Sequence, residues 1–294
     1  MGSADLPTSF HFAADLSAAA IPAAVPAAWA ALGPLGEAIR HAPSLREALR
    51  CLADHIQAWN GELRLCLETL PDDGRAFLML QAPAQQCQDT EQALALLRQV
   101  IGSISNGQVR SSGAWLAHEP LATPGAYRAQ FGSALRFGQA VSGLFLDAQD
   151  LDQPLPGSDA GRYETAVRLL AQQFPALPRR MSPRVRLIVA HLLAAGACTH
   201  DRVAASLGLH PRTLQRRLRE EGGSFETIKD QVRRDVALRH LGRSNVSLVQ
   251  MTEILGYSET SVLTRSCQRW FSASPRQLRK HQHRGLAEAS SCAT

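Results

Sequence analysis

The chain has 294 residues, of which 45% are hydrophobic and 19% are charged, and its formal net charge is +5. This length and composition indicate a soluble globular protein with two domains, each large enough for an ordinary core. The chain starts without a positively charged segment, and Pro22 and Pro26 interrupt the alanine-rich stretch over residues 18–32. We therefore expect no signal peptide, no membrane span and a cytoplasmic location.

The first predicted elements are a helix and a β-hairpin. Ser44 and Glu47 have the spacing of a capping box, and the helix that they open runs to about Asn60 with an apolar face. That face consists of Leu45, Leu49, Leu52 and Ile56. Next, Leu63, Leu65 and Leu67 alternate with polar or smaller residues, as in a half-buried strand. A turn at residues 72–74 returns the chain into Ala76–Gln81, the predicted partner strand.

Together with these elements, the pattern that follows predicts a mixed α and β domain over residues 1–175. A second helix is expected from about Thr90 to Ile104, capped by Asp89 or Thr90. Its apolar side carries Leu94, Leu97, Val100 and Ile101, and its outer side is either a subunit contact or a solvated face. Further strands are predicted over residues 113–117, 134–137 and 141–146, and a closing helix over 162–174.

A proline-rich linker over residues 176–182 separates this domain from a helical one over 183–284. Pro175, Pro178 and Pro183 punctuate the segment, and Ser182 with Pro183 is expected to start the second domain. Residues 285–294 are expected to form a disordered tail.

The helical domain contains one pattern twice, first from Thr199 to Gly222. An apolar stripe of Val203, Ala204 and Leu207 ends at Gly208, and Pro211 then takes the first position of a new helix. That helix has Leu214 and Leu218 on one face. Its other face carries Arg212, Gln215, Arg216 and Arg219.

The second copy runs from Ser247 to Phe271. Ser247 and Gln250 have capping-box spacing, Gly256 breaks the helix, and Ser258 is the expected cap of the next one. The predicted inner face of that helix is Leu263, Cys267 and Trp270. Its outer face would be Thr260, Ser261, Thr264, Arg265 and Gln268.

A long helix from Phe225 to Gly242 is predicted between the two copies. Its apolar positions are Ile228, Val232, Val236, Leu238 and Leu241. Gly208 aligns with Gly256 at an offset of 48 residues and Arg216 with Arg265 at 49, so the second turn holds one extra residue. A rigid helix would fix the distance between the two motifs. Two helix-turn-helix motifs at a fixed distance imply DNA as the partner.

The charge distribution supports this interpretation. Residues 179–284 contain 20 basic and 8 acidic side chains, a net charge of +12, whereas the rest of the chain has a net charge of −7. Such a basic domain would neutralise phosphates and bind DNA in a salt-dependent manner. The alternative is a solvated arginine surface. That alternative accounts well for Arg98 or Arg168, but not for arginines clustered beside two turn motifs.

The helical domain resembles the DNA-binding domain of the AraC/XylS family of bacterial transcription regulators. The residues that carry the resemblance are LGLHPRTLQRRLREEGGSF, ALRHLGRSNVSLVQMTEILGYSETSVLTR and RWFSASPRQLR. The chain departs from the family at Thr252, where a small alanine is usual, and at Leu263 and Cys267, where phenylalanine is common. We therefore expect a looser second core. Residues 127–137 and the run LFLDAQDLDQPLP resemble the ligand domain of arabinose-binding and ornithine-utilisation regulators.

This resemblance implies an α+β regulatory domain followed by an all-α domain with two helix-turn-helix motifs joined by a long helix. It implies a sequence-specific transcription regulator on double-stranded DNA, with base contacts in two adjacent major-groove segments. The implied base contacts are Arg212, Gln215 and Arg216 in one segment, and Thr260, Ser261 and Arg265 in the next. The implied phosphate contacts are Thr199, Arg217, Arg219, Thr264, Arg269 and Arg276. A homodimer through the first domain, a small-molecule effector and an RNA polymerase contact are further implied partners.

Because arginine and glutamine can pair bidentately with guanine and adenine, the first motif is expected to read sequence more strongly than the second. The short hydroxyl side chains of the second motif favour phosphate contacts, water bridges or DNA shape.

The sequence shows no enzyme, metal or cofactor signature. The six cysteines have no zinc-like spacing, and His191, Cys198 and His200 imply no ligand geometry. A redox role for Cys51, Cys66 or Cys87 is the less favoured alternative to reduced thiols. Aromatic residues that could line an effector pocket are better explained as core: Trp115, Tyr127, Phe131 and Phe137. Two alternative functions stay open: a regulator that needs no ligand, and a metabolite-binding or catalytic first domain localised by the DNA module.

Overall fold

The computed structural model describes residues 32–58, 61–71, 73–82, 87–131, 134–174, 180–241 and 246–280. They form two compact units, one from the described parts of residues 1–137 and 141–179 and a second from those of residues 138–140 and 180–294. The first is mixed α and β and the second is helical, which confirms the predicted fold class. Several predicted features lie outside the described residues: Asn60, Asp72, Gly242, the linker residues 175–179 and the tail 285–294.

The first unit is built on a five-stranded sheet, whose strands are β1 (Arg64–Thr69), β2 (Arg75–Gln81), β3 (Gly113–Trp115), β4 (Leu135–Arg136) and β5 (Ser142–Asp147). Their order in the sheet is β1-β2-β5-β3-β4. The predicted hairpin is confirmed, since β1 and β2 pair antiparallel with Leu65 opposite Leu80. β5 lies antiparallel to both β2 and β3, and β4 pairs parallel to β3 at the edge.

Among the described residues, the α-helices that accompany this sheet are α1 (Pro34–His41), α2 (Leu45–His55), α3 (Cys87–Ile104), α4 (Pro124–Phe131) and α5 (Ala160–Gln173). Ser44 caps α2 as predicted, because its hydroxyl accepts the Glu47 N–H at 3.3 Å. The predicted cap of α3 at Asp89 or Thr90 is wrong. The helix already includes Cys87, and Asp89 lies in its first turn, where a carboxylate is favourable without being a cap.

The core of the first unit lies between one face of the sheet and the helices, and it includes Leu78, Leu144, Leu49 and Ile101. Tyr127 and Phe131 are buried in this core, as the core interpretation of the aromatic residues predicted. Trp115 packs instead with Phe77 and Phe145, at ring separations of 5.5 and 5.2 Å. These positions do not identify an effector site.

The second unit consists of α6 (Met181–Ala194), α7 (His200–Ser206), α8 (Pro211–Glu220), α9 (Phe225–Leu241), α10 (Leu248–Ile254), α11 (Thr260–Phe271) and a final α12 over residues 275–280. α6 begins two residues before the predicted boundary at Pro183. A proline is tolerated in the first turn of a helix, where its missing N–H would have no partner in any case. No described helix of the chain is both long enough and apolar enough to cross a membrane.

The turns of the two motifs differ in length, as the repeat offsets predicted. Gly208 and Gly256 have positive φ angles of 65° and 63°, a conformation that glycine adopts without strain. α8 begins three residues after the first glycine, at Pro211, and α11 begins four residues after the second, at Thr260. The second turn therefore holds the one extra residue.

The predicted caps of the second motif have opposite outcomes. Ser247 and Gln250 form the reciprocal capping box, with hydrogen bonds of 3.1 and 2.9 Å. The prediction that Ser258 caps α11 is wrong, because the extra turn residue makes Glu259 the N-cap residue, and its side chain makes no capping bond.

The core beneath the second motif joins α9 to α10 and α11. It contains Ala237, Leu241, Met251, Leu255, Leu263 and Cys267. The prediction of Leu238 as an inner position is wrong, since its side chain is 45% exposed. The 3.6-residue period of α9 turns Ala237 inward in its place.

We expect Ser247→Ala to destabilise α10 by about 1 kcal/mol, because it removes an acceptor for an otherwise unpaired N–H at the start of the helix. Amide hydrogen exchange over residues 248–255 measures this as faster exchange. Ser258→Ala is the matched control, and it should leave the exchange unchanged. Equal acceleration in both variants would contradict the assignment of the cap.

Candidate nucleic-acid interface

α8 separates its side chains into a buried face and an exposed polar face. Leu214 and Leu218 are fully buried, which fixes the rotation of the helix against the rest of its motif. His210 closes its N-terminus by accepting the Arg212 N–H at 3.2 Å. The opposite face is exposed and carries Arg212, Gln215, Arg216 and Arg219, and Arg217 is exposed beside the buried face.

The side chains of this exposed face are available for a ligand. Arg216 donates to Glu220 at 2.9 Å, but both side chains are more than half exposed, so the pair is weak and can exchange with another acceptor. Within the described parts of the chain, no residue accepts a hydrogen bond from the guanidinium groups of Arg212, Arg217 and Arg219. α8 therefore presents four guanidinium groups and one amide to the solvent.

α11 has the same division, with different chemistry outside. Leu263, Ser266 and Cys267 are buried. The predicted outer face is confirmed as exposed: Thr260, Ser261, Thr264, Arg265 and Gln268. The core beneath the second motif is shielded from solvent at two of the buried positions, since Leu263 is 1% and Cys267 is 0% exposed. Two of the outer hydroxyl groups are engaged within the chain, because Ser261 donates to the Glu259 carboxylate and Thr264 to the Thr260 carbonyl, at 2.9 and 3.0 Å.

The predicted phosphate contacts are all exposed: Thr199, Arg217, Arg219, Thr264, Arg269 and Arg276. Three of them already have partners within the chain, namely Thr199, Arg269 and Thr264, whose bond to the Thr260 carbonyl is described above. Thr199 caps α7 by accepting the Arg202 N–H at 3.2 Å, which leaves its hydroxyl proton free to donate. Arg269 donates to Asp230 at 2.5 Å. A phosphate would have to compete with that carboxylate for Arg269.

α9 anchors the second motif through two side chains that sequence analysis did not single out. Arg233 donates to the carbonyls of Leu255 and Gly256, at 2.9 and 3.1 Å, and its guanidinium lies 4.3 Å from the Tyr257 ring centre. These carbonyls are at the end of α10, where helical acceptors lack partners. One turn earlier, Asp230 accepts hydrogen bonds from Arg269 and from the Trp270 indole of α11.

α9 also holds the elements around the first motif. Lys229 donates to the Cys198 carbonyl at 2.8 Å, just before α7. Asp235 accepts from Arg186 of α6 at 2.5 Å. The buried side chains of Phe225, Ile228 and Val232 lie on the same helix. One helix therefore carries the anchors of both motifs.

Burial disfavours the thiolate form of three cysteines, Cys51, Cys198 and Cys267. Burial raises the pKa of Cys51 to about 12 and that of Cys267 to about 11. Burial also raises the pKa of Cys198. Since a thiolate is the reactive form, this burial disfavours reaction at these three thiols. No group of three or more histidine, cysteine or acidic side chains that could hold a metal ion occurs among the residues that the structure describes.

Comparison with known proteins places both units. Residues 12–155 match the family model described as the arabinose-binding domain of AraC transcription regulator, N-terminal, and residues 203–281 match that of a helix-turn-helix domain. The transcriptional regulator VirS of Mycobacterium tuberculosis is 31% identical over 254 residues, which cover 85% of this chain and 75% of VirS. The ornithine utilization regulator of Pseudomonas aeruginosa is 25% identical, over 84% of this chain and 74% of its own.

Among solved structures, the transcriptional regulator CdpR of Pseudomonas aeruginosa aligns with a TM-score of 0.43 and 18% identity. The alignment covers 86% of this chain and 83% of CdpR.

Proposed function

Because the chain belongs to the AraC family of helix-turn-helix transcriptional regulators, we propose that it inserts α8 and α11 into two successive major-groove segments of one duplex. We call α8 the first reader and α11 the second reader. The observation that carries the proposal is that both helices bury one face and expose a polar one, while α9 anchors both motifs. In helix-turn-helix proteins the second helix of each motif lies in the major groove.

The first reader supplies the stronger sequence recognition in this proposal. Arg212 and Arg216 have the donor geometry for guanine, and Gln215 can both donate to and accept from adenine. Each bidentate contact contributes roughly 1–3 kcal/mol of discrimination. Pro211 and His210 place Arg212 in the first turn, the part of a recognition helix that contacts bases.

The second reader contributes less to base recognition. Arg265 is its main base-reading side chain, and Thr260 and Ser261 are secondary contacts. The Ser261 hydroxyl donates to Glu259, so its oxygen is left mainly as an acceptor. A reader of this kind depends more on phosphate contacts and DNA shape.

Phosphate contacts add affinity without sequence information. We assign them to Thr199, Arg217, Arg219, Thr264, Arg269 and Arg276, of which all are exposed. The excess of 12 positive charges over residues 179–284 supports this assignment.

The first unit is proposed to form a homodimer and to respond to a small-molecule effector. The match of residues 12–155 to an arabinose-binding domain supports a ligand-responsive role without naming the ligand. A cytoplasmic location and a contact with RNA polymerase complete the proposal for a DNA-binding regulator.

Arg212→Ala and Arg216→Ala should each weaken binding to a selected specific site by about 1–3 kcal/mol and weaken binding to random DNA far less. The reason is that a base contact is lost only on the specific site. Fluorescence anisotropy with both duplexes measures the two affinities. Arg168→Ala, which removes an equal charge from α5 of the first unit, is the control. Equal losses on specific and random DNA would show that the two arginines contact only the backbone.

Arg217→Ala should reduce the slope of log affinity against log salt concentration by about 1, as expected for one lost phosphate contact. Arg269→Ala should change the slope less, because Asp230 already neutralises this guanidinium. Binding titrations from 50 to 200 mM salt, roughly the range over which phosphate-dominated affinity falls steeply, provide the slopes. An unchanged slope for Arg217→Ala would remove that residue from the phosphate contacts.

A further inference from the structure

A carboxylate at the end of the first reader bonds to the start of the second unit. Glu221 follows α8 directly, and its two oxygens accept the backbone N–H groups of Met181 and Ser182. The Ser182 hydroxyl also donates to it, at 2.6 Å. Glu221 lies 40 positions after Met181 in the chain, so this contact is tertiary.

Glu221 takes the place of a local cap on α6. Arg180, the N-cap residue of α6, makes no side-chain capping bond. The first N–H groups of a helix lack intrahelical partners, and a negative charge is favourable at that end. Burial raises the pKa of the Glu221 carboxyl, but hydrogen bonds from Ser182 and Met181 and the charge of Arg180 outweigh burial, so the pKa lies below its ordinary value. The carboxylate is therefore charged at neutral pH.

Glu221 is also continuous with the first reader. Its own N–H bonds to the carbonyls of Arg217 and Arg219, in the last turn of α8. The Gly223 N–H then returns to the Leu218 carbonyl at 2.8 Å. Arg216 lies five residues before Glu221, roughly 7–8 Å along the helix axis at 1.5 Å per residue. A tilt of α8 that moved Arg216 in the groove would also move the carboxylate away from α6.

We infer that Glu221 is the positioning residue of the first reader, because it fixes the direction of α8 against the N-terminus of α6. The chain from the first unit reaches the second unit at this same N-terminus, at Arg180. A displacement of Met181 and Ser182 would thus be transferred to α8 through one side chain. This inference rests on the proposed function, since it concerns how α8 is held for DNA.

The test uses the full chain and three duplexes. A specific duplex is first selected from a random library with the unaltered protein. The second duplex has the segment of the first reader scrambled, and the third has the segment of the second reader scrambled. The affinity ratio between the intact and each scrambled duplex gives the contribution of each reader.

Glu221→Ala should reduce the contribution of the first reader by about tenfold or more, because hydrogen bonds to a charged group are lost. The contribution of the second reader should stay the same. Glu221→Gln keeps the side-chain volume and one carbonyl acceptor, so its effect should be intermediate. Ser182→Ala removes one bond and should have a small effect in the same direction. Glu226→Gln, at an exposed carboxylate in the first turn of α9, is the control and should change neither ratio.

The outcomes separate this inference from the proposed function. Equal binding of the unaltered protein to all three duplexes would contradict the proposed function itself. If the unaltered protein discriminates among the three duplexes but Glu221→Ala leaves both affinity ratios unchanged, only the positioning role of Glu221 would be overturned. A purely structural role would lower binding to all three duplexes in proportion, and this result would also overturn it. If circular dichroism shows that Glu221→Ala is unfolded, Glu221→Gln and Ser182→Ala decide the question by the same ratios.

Discussion

The unbroken helix α9 is the constraint on which the arrangement of the second unit depends. Its 17 residues span roughly 25 Å at 1.5 Å per residue. Lys229 and Asp235 attach it to elements around the first motif, and Asp230 and Arg233 attach it to the second. Because these four side chains occur within two turns, a shift of α9 would strain both sets of contacts together. The separation of the two readers is therefore set by covalent geometry and by short polar bonds.

The two readers differ in the chemistry of their exposed faces, although each is a helix with one buried and one exposed face. The first has a face of arginines with weak or no internal partners, whereas the second has hydroxyl groups that already bond within the chain. Thr252, at a position where a small residue was expected, is buried beneath the second motif and donates to the Leu248 carbonyl at 2.8 Å. The hydroxyl is thus satisfied inside the core, and Leu263 and Cys267 are shielded from solvent although they are smaller than the usual phenylalanine.

Local features of the second unit could be predicted because their causes lie within a few residues. The Ser247 capping box, the glycine turns and the extra turn residue follow from spacing alone. The prediction of Ser258 as the cap of α11 was wrong because two adjacent residues could each serve as N-cap. The inward position of Ala237 was missed because the neighbouring Leu238 is more apolar. Asp230, Arg233 and Glu221 could not be found at all. Their partners lie 22 to 40 positions away, and periodicity holds no information about such pairs.

The fixed separation of the two readers is tested by measuring affinity as a function of the spacing between the two DNA segments. Duplexes would carry the selected site with one to five base pairs inserted between the segments of the first and second readers. If α9 fixes the separation, inserting a single base pair should remove the contribution of one reader. Insertions of two to five base pairs should not restore that contribution, because they are shorter than a full helical turn of about 10 base pairs. Affinity that stays constant across these insertions would show that the readers move independently and that α9 does not fix their separation.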